Sequence, residues 1–419
     1  MILSRRAALA AGGALTLAAR LPAAPRTTVK VRTGLDRVLA DPTPLMAKRI
    51  GLLTHDAALS ANGQRGVDAL AALPRVNLTA LFAPEHGLAG TAAAGEHVGD
   101  ARDGKTGVPI YSLYGARPAP EPAQLAGLDL LVIDLQDVGL RCYTYAGTAL
   151  KAMEVAAAVK LPVLLLDRPN PLGGLVIEGT ALEDQWLGKT PVTALPTLYR
   201  HGLTLGEITR YLTLGGFGWN IAVSPMDGWT RGMGTEVFGP GGLPFTPPSP
   251  NLRSPAAILA YAASVLVEGT NVSEGRGTDA PFELIGAPWI DGPALTRALA
   301  KALGRQKLWG VRFAPARFTP ASSKHAGLSC GGVRLTVTDE RRYRAFDTGV
   351  ALVCALRQHA SERFAFLPGN PPFFDLLAGR GLVRQSIASG CAERAVAEAC
   401  ERDRRRGIEW QTSGRIYTS

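Results

Sequence analysis

The sequence predicts an α/β protein: a doubly wound parallel sheet followed by a second, smaller α/β domain. Three observations predict it. Short apolar segments alternate with helical stretches through the first 250 residues, the pattern of a parallel sheet covered on both sides. The segment Leu128 to Leu135 is a near-continuous apolar run, as expected of a strand buried on both faces. A stretch rich in proline and glycine, Gly239 to Pro255, then interrupts the alternation and marks a boundary.

Taken in order, Arg49 to Leu53 reads as a strand, Gly66 to Leu73 as a helix and Val76 to Phe82 as the next strand. After the Leu128 strand, Tyr145 to Val159 is an alanine-rich helix and Pro162 to Leu166 a strand. Thr204-Leu-Gly-Glu207 fits a capping box, in which the Thr and Glu side chains satisfy each other's backbone N–H, opening a helix to about Leu214. Trp219 to Val223 follows as a strand. Beyond the boundary come a helix (Ala256 to Val267), a loop (Glu268 to Asp279), strands near Phe282 and at Val333 to Val337, and several helices. The predicted division is a leader over 1–26, a catalytic domain over 27–250 and a smaller domain over 251–419 that closes a cleft.

Composition narrows the class. At 419 residues the chain can bury a large core, and 46% hydrophobic against 19% charged residues excludes disorder. No 18-residue apolar run follows the N-terminus, so the body holds no expected membrane span. The formal charge is +10, but Arg5, Arg6, Arg20 and Arg26 lie in the leader, and without them it falls to +6. The basic cluster at Arg402, Arg404, Arg405 and Arg406 is interrupted by Asp403, as on a solvated helix, so nucleic acid is not an expected partner. A mildly basic surface does suit an anionic polymer.

The leader has a basic start (Ser4-Arg5-Arg6), an apolar middle (Ala7 to Ala19) and a small-residue exit (Ala23, Ala24). That is the anatomy of an export signal of twin-arginine type, which predicts a periplasmic or secreted protein. The five cysteines show no Cys-x-x-Cys spacing, so no zinc site is expected. Cys391 and Cys400 read as faces of one helical stretch, and all five cysteines as buried structural thiols.

In an open parallel sheet, ligands bind beyond the carboxyl ends of the strands. Three strands run into acidic loops there: Ala83-Pro-Glu-His-Gly87, Asp134-Leu-Gln-Asp-Val-Gly-Leu-Arg141 and Asp167-Arg-Pro-Asn-Pro171. The sequence lacks Gly-x-Gly-x-x-Gly, the Gly-x-x-x-x-Gly-Lys phosphate loop, Gly-x-Ser-x-Gly and His-Glu-x-x-His, so no cofactor or metal is called for. Carboxylate chemistry remains, and a pair of carboxyl groups is the usual equipment for cleaving a glycosidic bond.

Five segments, Phe82-Ala-Pro-Glu-His-Gly87, Asp134 to Tyr145, Leu166 to Gly174, Arg200-His-Gly-Leu-Thr204 and Glu268 to Thr278, resemble the YbbC/NamZ family of exo-acting β-N-acetylmuramidases. The resemblance runs from about Gly51 to near the C-terminus. It implies a Rossmann-like domain plus a smaller α/β domain with the cleft between them, and removal of terminal non-reducing N-acetylmuramic acid from peptidoglycan fragments. It also implies that Glu85 is the catalytic carboxyl, with Asp134 or Asp137 as its partner. His86, Arg141, Tyr143, Tyr145, Asp167, Arg168, Asn170, His201, Asn271, Glu274 and Arg276 are then candidates for binding substrate. Tyr143 and Tyr145 could stack on a sugar ring or pack the following helix. Asn271, Ser273, Glu274 and Arg276 form a polar loop from the second domain.

N-acetylmuramic acid differs from N-acetylglucosamine by a lactyl ether bearing a carboxylate, which an arginine fork can bind through both oxygens. Arg141, Arg168 and Arg276 are the candidate readers, with Arg168 and Arg276 favoured by their glycine- and proline-rich neighbours. Two other readings stay open. One is a cell-wall esterase or amidase using Ser112 or Cys142, and the other a non-catalytic binding module for wall fragments.

Overall fold

The computed structural model describes residues 30–93, 95–96, 98–215 and 218–419, so the leader lies outside the described residues. The chain runs α1 (Gly34–Ala40), β1 (Arg49–Thr54), α2 (Gly66–Ala71), β2 (Asn77–Ala83), β3 (Ala101–Arg102), β4 (Pro109–Ser112), α3 (Pro122–Leu125), β5 (Leu130–Asp134), α4 (Thr144–Ala158) and β6 (Val163–Leu166). It continues through β7 (Glu178–Ala181), β8 (Leu198–Arg200), α5 (Leu205–Leu214), β9 (Ile221–Ser224) and α6 (Pro255–Ser264). The last part holds β10 (Leu284–Ala287), α7 (Gly292–Gln306), β11 (Val311–Phe318), β12 (Cys330–Val337), α8 (Ala345–His359), α9 (Phe373–Ala378), α10 (Gly381–Ala388) and α11 (Glu393–Gly414).

The main sheet has the order β3-β4-β2-β1-β5-β6-β9 and is parallel apart from its edge strand β3. Counting only the parallel strands by their place in the chain, this is the Rossmann order 3-2-1-4-5-6. The order reverses between β1 and β5, which makes the carboxyl ends of those strands and their neighbours the natural place for a ligand. The apolar run in β5 has a simple cause. Leu130 and Val132 pack with Leu35 and Val38 of α1 and Val67 and Leu70 of α2 on one face. Leu131 and Ile133 pack with Ala149 and Met153 of α4 on the other. Alternate residues of a strand point to opposite faces, so a strand covered on both sides is apolar at every position.

A three-stranded antiparallel sheet, β10-β12-β11, forms the second part, with α6, α7 and α8 packed around it. One hydrophobic cluster runs through both parts, from Ile133 and Tyr145 to Tyr199, Tyr261, Val333 and Phe346. The expected capping box is present: Thr204 Oγ1 accepts the Glu207 N–H at 3.1 Å, and Glu207 Oε2 accepts the Thr204 N–H at 3.1 Å.

Some elements differ from expectation. The helix placed over Ala256 to Val267 ends at Ser264 and tightens into a 3-10 turn over Val265–Gly269. β11 carries Pro315 and Arg312 and Arg317, and it escapes an apolar pattern because it is an edge strand with a largely exposed face. Cys391 is not on one helix with Cys400. α11 starts at Glu393, so Cys391 lies in the turn before it and forms a disulfide with Cys354 of α8. Pairing across 37 residues is set by how α8 and that turn pack, which cysteine spacing does not report. Among the described residues no helix is long and apolar enough to cross a membrane, and no three His, Cys, Asp or Glu residues gather to hold a metal.

Candidate active site

A cavity of ≈ 880 Å³ opens beyond the carboxyl ends of the main-sheet strands, within the size range of small-molecule sites. Both parts of the chain line it. Glu85 and His86 come from the loop after β2, and Tyr143 and Thr144 from the start of α4. The segment Ser249 to Arg253 forms a side wall, while Glu268, Glu274, Arg276 and Lys324 form the wall from the second part.

Glu85 is 8% exposed and its carboxylate is held from more than one side. Thr144 Oγ1 donates to Oε2 at 2.8 Å, and the Tyr114 hydroxyl bonds to the same carboxylate. Burial, reinforced by the charge of Glu85, pushes the Tyr114 phenol up to about 12, so it remains a proton donor across the neutral range. The Glu85 carbonyl lies 3.2 Å from the Tyr145 hydroxyl, which is also 2.7 Å from the Pro248 carbonyl. Tyr145 therefore ties the acid's loop to the wall segment without reaching the cavity itself. Removing the Thr144 hydroxyl by Thr144→Val should leave Glu85 in place but less firmly oriented. A net loss of roughly 0.5–1.5 kcal/mol corresponds to about a 2- to 10-fold lower kcat with an unchanged melting temperature, readable in steady-state kinetics.

His86 follows at φ 74, a backbone region that costs energy for a residue with a side chain. Its Nδ1 lies 2.8 Å from the Ala92 carbonyl, which can only accept, so Nδ1 carries the proton and Nε2 is left with a lone pair. Burial lowers its proton affinity, against the opposing charge of Glu85, so the ring is neutral at pH 7.

The opposite wall is a network of alternating charge. Arg276 pairs with Glu268 and, at 3.2 Å, with Glu274, and its guanidinium lies 5.1 Å over the Phe282 ring. Lys324 Nζ reaches Glu274 at 3.0 Å and the carbonyls of Val267, Glu268 and Val272 at 3.1–3.2 Å. Burial raises the proton affinity of Glu268 despite the Arg276 charge beside it. Glu268, Thr144, Tyr114 and Lys324 escape selection from the sequence. Glu268 and Thr144 stand inside recognised segments, which was signal enough to find them. Tyr114 and Lys324 sit in loops without a pattern.

Of the residues singled out by sequence, Glu85, His86, Cys142, Tyr143, Glu274 and Arg276 line the cavity. The others are placed elsewhere. Asp134 is fully buried and forms a bidentate pair with Arg168, Nε–Oδ1 at 2.5 Å and Nη2–Oδ2 at 2.9 Å. Arg168 also donates from Nη1 to the Leu59 carbonyl at 2.9 Å, so its loop is not exposed as its neighbours suggested. Arg141 is also buried, donating to the carbonyls of Val192, Leu376 and Leu377 and so fastening α9 to the first part. Asp167 accepts from Thr204 Oγ1 at 2.7 Å, the Gly206 N–H at 2.9 Å and the Tyr417 hydroxyl at 2.6 Å, which secures the C-terminal segment.

Asn170 bridges the Leu172 N–H and the Leu203 carbonyl, each at 2.9 Å. It packs so tightly on Gly139, at φ 83, that no Cβ fits there. His201 Nδ1 accepts the Leu203 N–H at 3.1 Å, and burial lowers its pKa to about 3, so it is a neutral core residue. Asn271 bonds the backbone at Arg363 and Ala365.

Asp137 is a separate case. It lies behind the cavity wall, 7% exposed; Oδ1 accepts the Gly139 N–H at 2.7 Å and Oδ2 has no partner. Burial raises its pKa to about 7 from the ordinary 3.8. A group whose pKa rises on folding contributes stability that is present below the unfolded value and lost as pH climbs through the folded one. The wild-type chain should therefore lose more stability between pH 5.5 and 8.5 than Asp137→Asn, which cannot ionise. The difference should be of order 1 kcal/mol, from chemical denaturation at the two pH values.

Comparison with known proteins finds relatives over nearly the whole of the described chain. The model for the N-terminal part of exo-β-N-acetylmuramidase NamZ matches residues 50–256, and the model for its C-terminal part matches residues 259–414. The peptidoglycan β-N-acetylmuramidase NamZ of Bacillus subtilis (strain 168) is 41% identical over 395 residues, covering 93% of each chain. Two solved DUF1343 family proteins from Bacteroides fragilis NCTC 9343 share the fold at 29% identity. One superposes with a TM-score of 0.82 over 93% of this chain and 100% of its own. The other superposes with a TM-score of 0.74 over 93% of this chain and 99% of its own.

Proposed function

The chain belongs to the exo-β-N-acetylmuramidase NamZ family, and from that premise we infer that its cavity removes N-acetylmuramic acid from the non-reducing end of peptidoglycan fragments, with Glu85 as the catalytic carboxyl. It is a glycoside hydrolase of the NamZ type, acting on peptidoglycan. The observation that carries the residue assignment is the position of Glu85: at a strand's carboxyl end, beside the switch point, facing the cavity, with its carboxylate fixed by Thr144 and Tyr114.

The chemistry follows from that placement. A carboxylic acid at Glu85 delivers its proton to the glycosidic oxygen as the bond to the anomeric carbon lengthens, so the departing sugar leaves as an alcohol rather than an alkoxide. The oxygen of a water completes the anomeric carbon, and the proton that water sheds restores the acid. Tyr114 and Thr144 orient the acid and accommodate the negative charge it acquires. The Glu268, Glu274, Arg276 and Lys324 network offers rigid donors and acceptors to the hydroxyls of the bound sugar, and Tyr143 offers a ring edge. Asp137 has a proton affinity suited to an acid at neutral pH, but it does not line the cavity, and geometry takes precedence over titration.

An esterase or amidase reading needs a nucleophile. Cys142 lines the cavity, but burial pushes its thiol up to about 11, leaving almost no thiolate at neutral pH. The Ser112 hydroxyl is buried without a hydrogen-bond partner, and the residue lies outside the cavity wall. For location, the basic, apolar and small-residue anatomy of the leader supports export to the periplasm or beyond the cell, where the wall polymer is. The deciding assay is incubation with a chromogenic β-N-acetylmuramide: aglycone release supports the reading, and binding without turnover would overturn it.

A further inference from the structure

The lactyl carboxylate distinguishes this sugar from its neighbours in the polymer, and the three arginines selected from sequence do not supply a free cation for it. Arg141 and Arg168 are buried away from the cavity. Arg276 does line it, but the second-part wall is neutral overall: two cations, Arg276 and Lys324, face two carboxylates, Glu268 and Glu274. An incoming carboxylate would have to displace one of those acids.

Arg253 is different. It lines the same cavity, is exposed, and has no carboxylate partner among the described residues. Its Nε donates to the Pro250 carbonyl at 3.1 Å, which leaves the terminal amino groups of the guanidinium free. Its mount is rigid on both sides. Ser254, the next residue, caps α6 by accepting the Ala257 N–H at 3.1 Å. Upstream, the Pro248 carbonyl is held by the hydroxyls of Tyr143 at 3.1 Å and Tyr145 at 2.7 Å. Tyr145 is the residue that also touches the backbone of Glu85. The free guanidinium and the catalytic acid thus stand on loops joined through one tyrosine.

We propose that Arg253 is the specificity-determining residue of this site, binding the lactyl carboxylate of N-acetylmuramic acid through its guanidinium. The proposal rests on the glycosidase reading above. It gives a purpose to the proline-rich Gly239–Pro255 segment, which the sequence marks only as a boundary.

The test compares a chromogenic β-N-acetylmuramide with the same compound whose lactyl carboxylate has been amidated, on wild type, Arg253→Ala and Arg253→Lys. Wild type is expected to show a roughly 10- to 100-fold higher KM for the amide. Arg253→Ala should raise KM for the acid sugar by a similar factor, leave the amide within about 2-fold, and keep the wild-type melting temperature. Arg253→Lys keeps the charge but loses the fork, so it should recover part of the difference. Equal losses on both sugars in Arg253→Ala, or an unchanged KM for the acid sugar, would overturn the assignment. If wild type cleaves both sugars equally well, the glycosidase reading stands and the reader falls. If it cleaves neither, both fall.

Discussion

Replacing Glu85 with glutamine is expected to lower turnover of a muramic-acid-terminated disaccharide by ~100-fold or more. Glutamine keeps the shape of the side chain and can still accept the Thr144 hydroxyl hydrogen bond, so position should be preserved while the titrating proton is lost. Glutamine is uncharged and nearly isosteric at a site that is 8% exposed, so the substitution should cost little stability, and the circular dichroism spectrum should match wild type. A second substrate sharpens the result. A nitrophenolate leaves readily without protonation, so a variant lacking only the acid should lose less on the nitrophenyl glycoside than on the disaccharide. Equal losses on both would move Glu85 from proton donor to a role at the anomeric carbon. A folded variant with near-normal turnover on the disaccharide would remove Glu85 from the chemistry altogether.

The second large effect is on stability. Arg168→Met strips Asp134 of its bidentate partner in a place where Asp134 is 0% exposed, leaving a buried carboxylate with no countercharge. Breaking such a pair from one side costs about 3–5 kcal/mol, which for a chain of this size corresponds to a fall of about 4–6 °C in melting temperature. The double variant Asp134→Leu with Arg168→Met should recover much of that loss, because it removes both charges together. KM of the surviving folded enzyme should stay close to wild type, since neither residue faces the cavity. If Arg168→Met instead raised KM sharply without a change in melting temperature, the pair would belong to the site and not to the framework.

These two experiments divide residues that look alike in the sequence. Glu85, Asp134 and Asp167 each stand where a strand meets an acid-containing loop, and the parallel sheet does gather those strand ends on one edge. Yet only Glu85 of the three faces the cavity. Asp134 is the last residue of β5, paired in register with Thr54 of β1, and its side chain meets Arg168 from a loop 34 residues away. Asp167 is enclosed by Thr204, Gly206 and Tyr417, the last of them 250 residues further along the chain. Nothing local at either acid announces these partners.

The second part of the chain was less legible for a different reason. Its contribution to the site is a wall of paired charges, Glu268 and Glu274 with Arg276 and Lys324, in which one partner comes from a recognisable segment and another from an unpatterned loop. Arg253 sits in a stretch whose proline and glycine content reads as punctuation. The same residues build a rigid wall because tyrosines from α4 and its approach clamp the backbone there.

By itself the sequence determined the α/β class and the parallel strands at the core, and it singled out Glu85 as the candidate acid. Hydrophobic periodicity follows from which faces are covered, and a long motif carries its own chemistry, so both are local properties of the chain. Tertiary structure alone decided which charged residues are neutralised in the interior and which remain free in the cavity. That distinction depends on partners brought together from 34 residues apart for Asp134 and Arg168, and from 50 apart for Glu274 and Lys324. A carboxylate or guanidinium has no fixed role until the fold has supplied, or withheld, its countercharge.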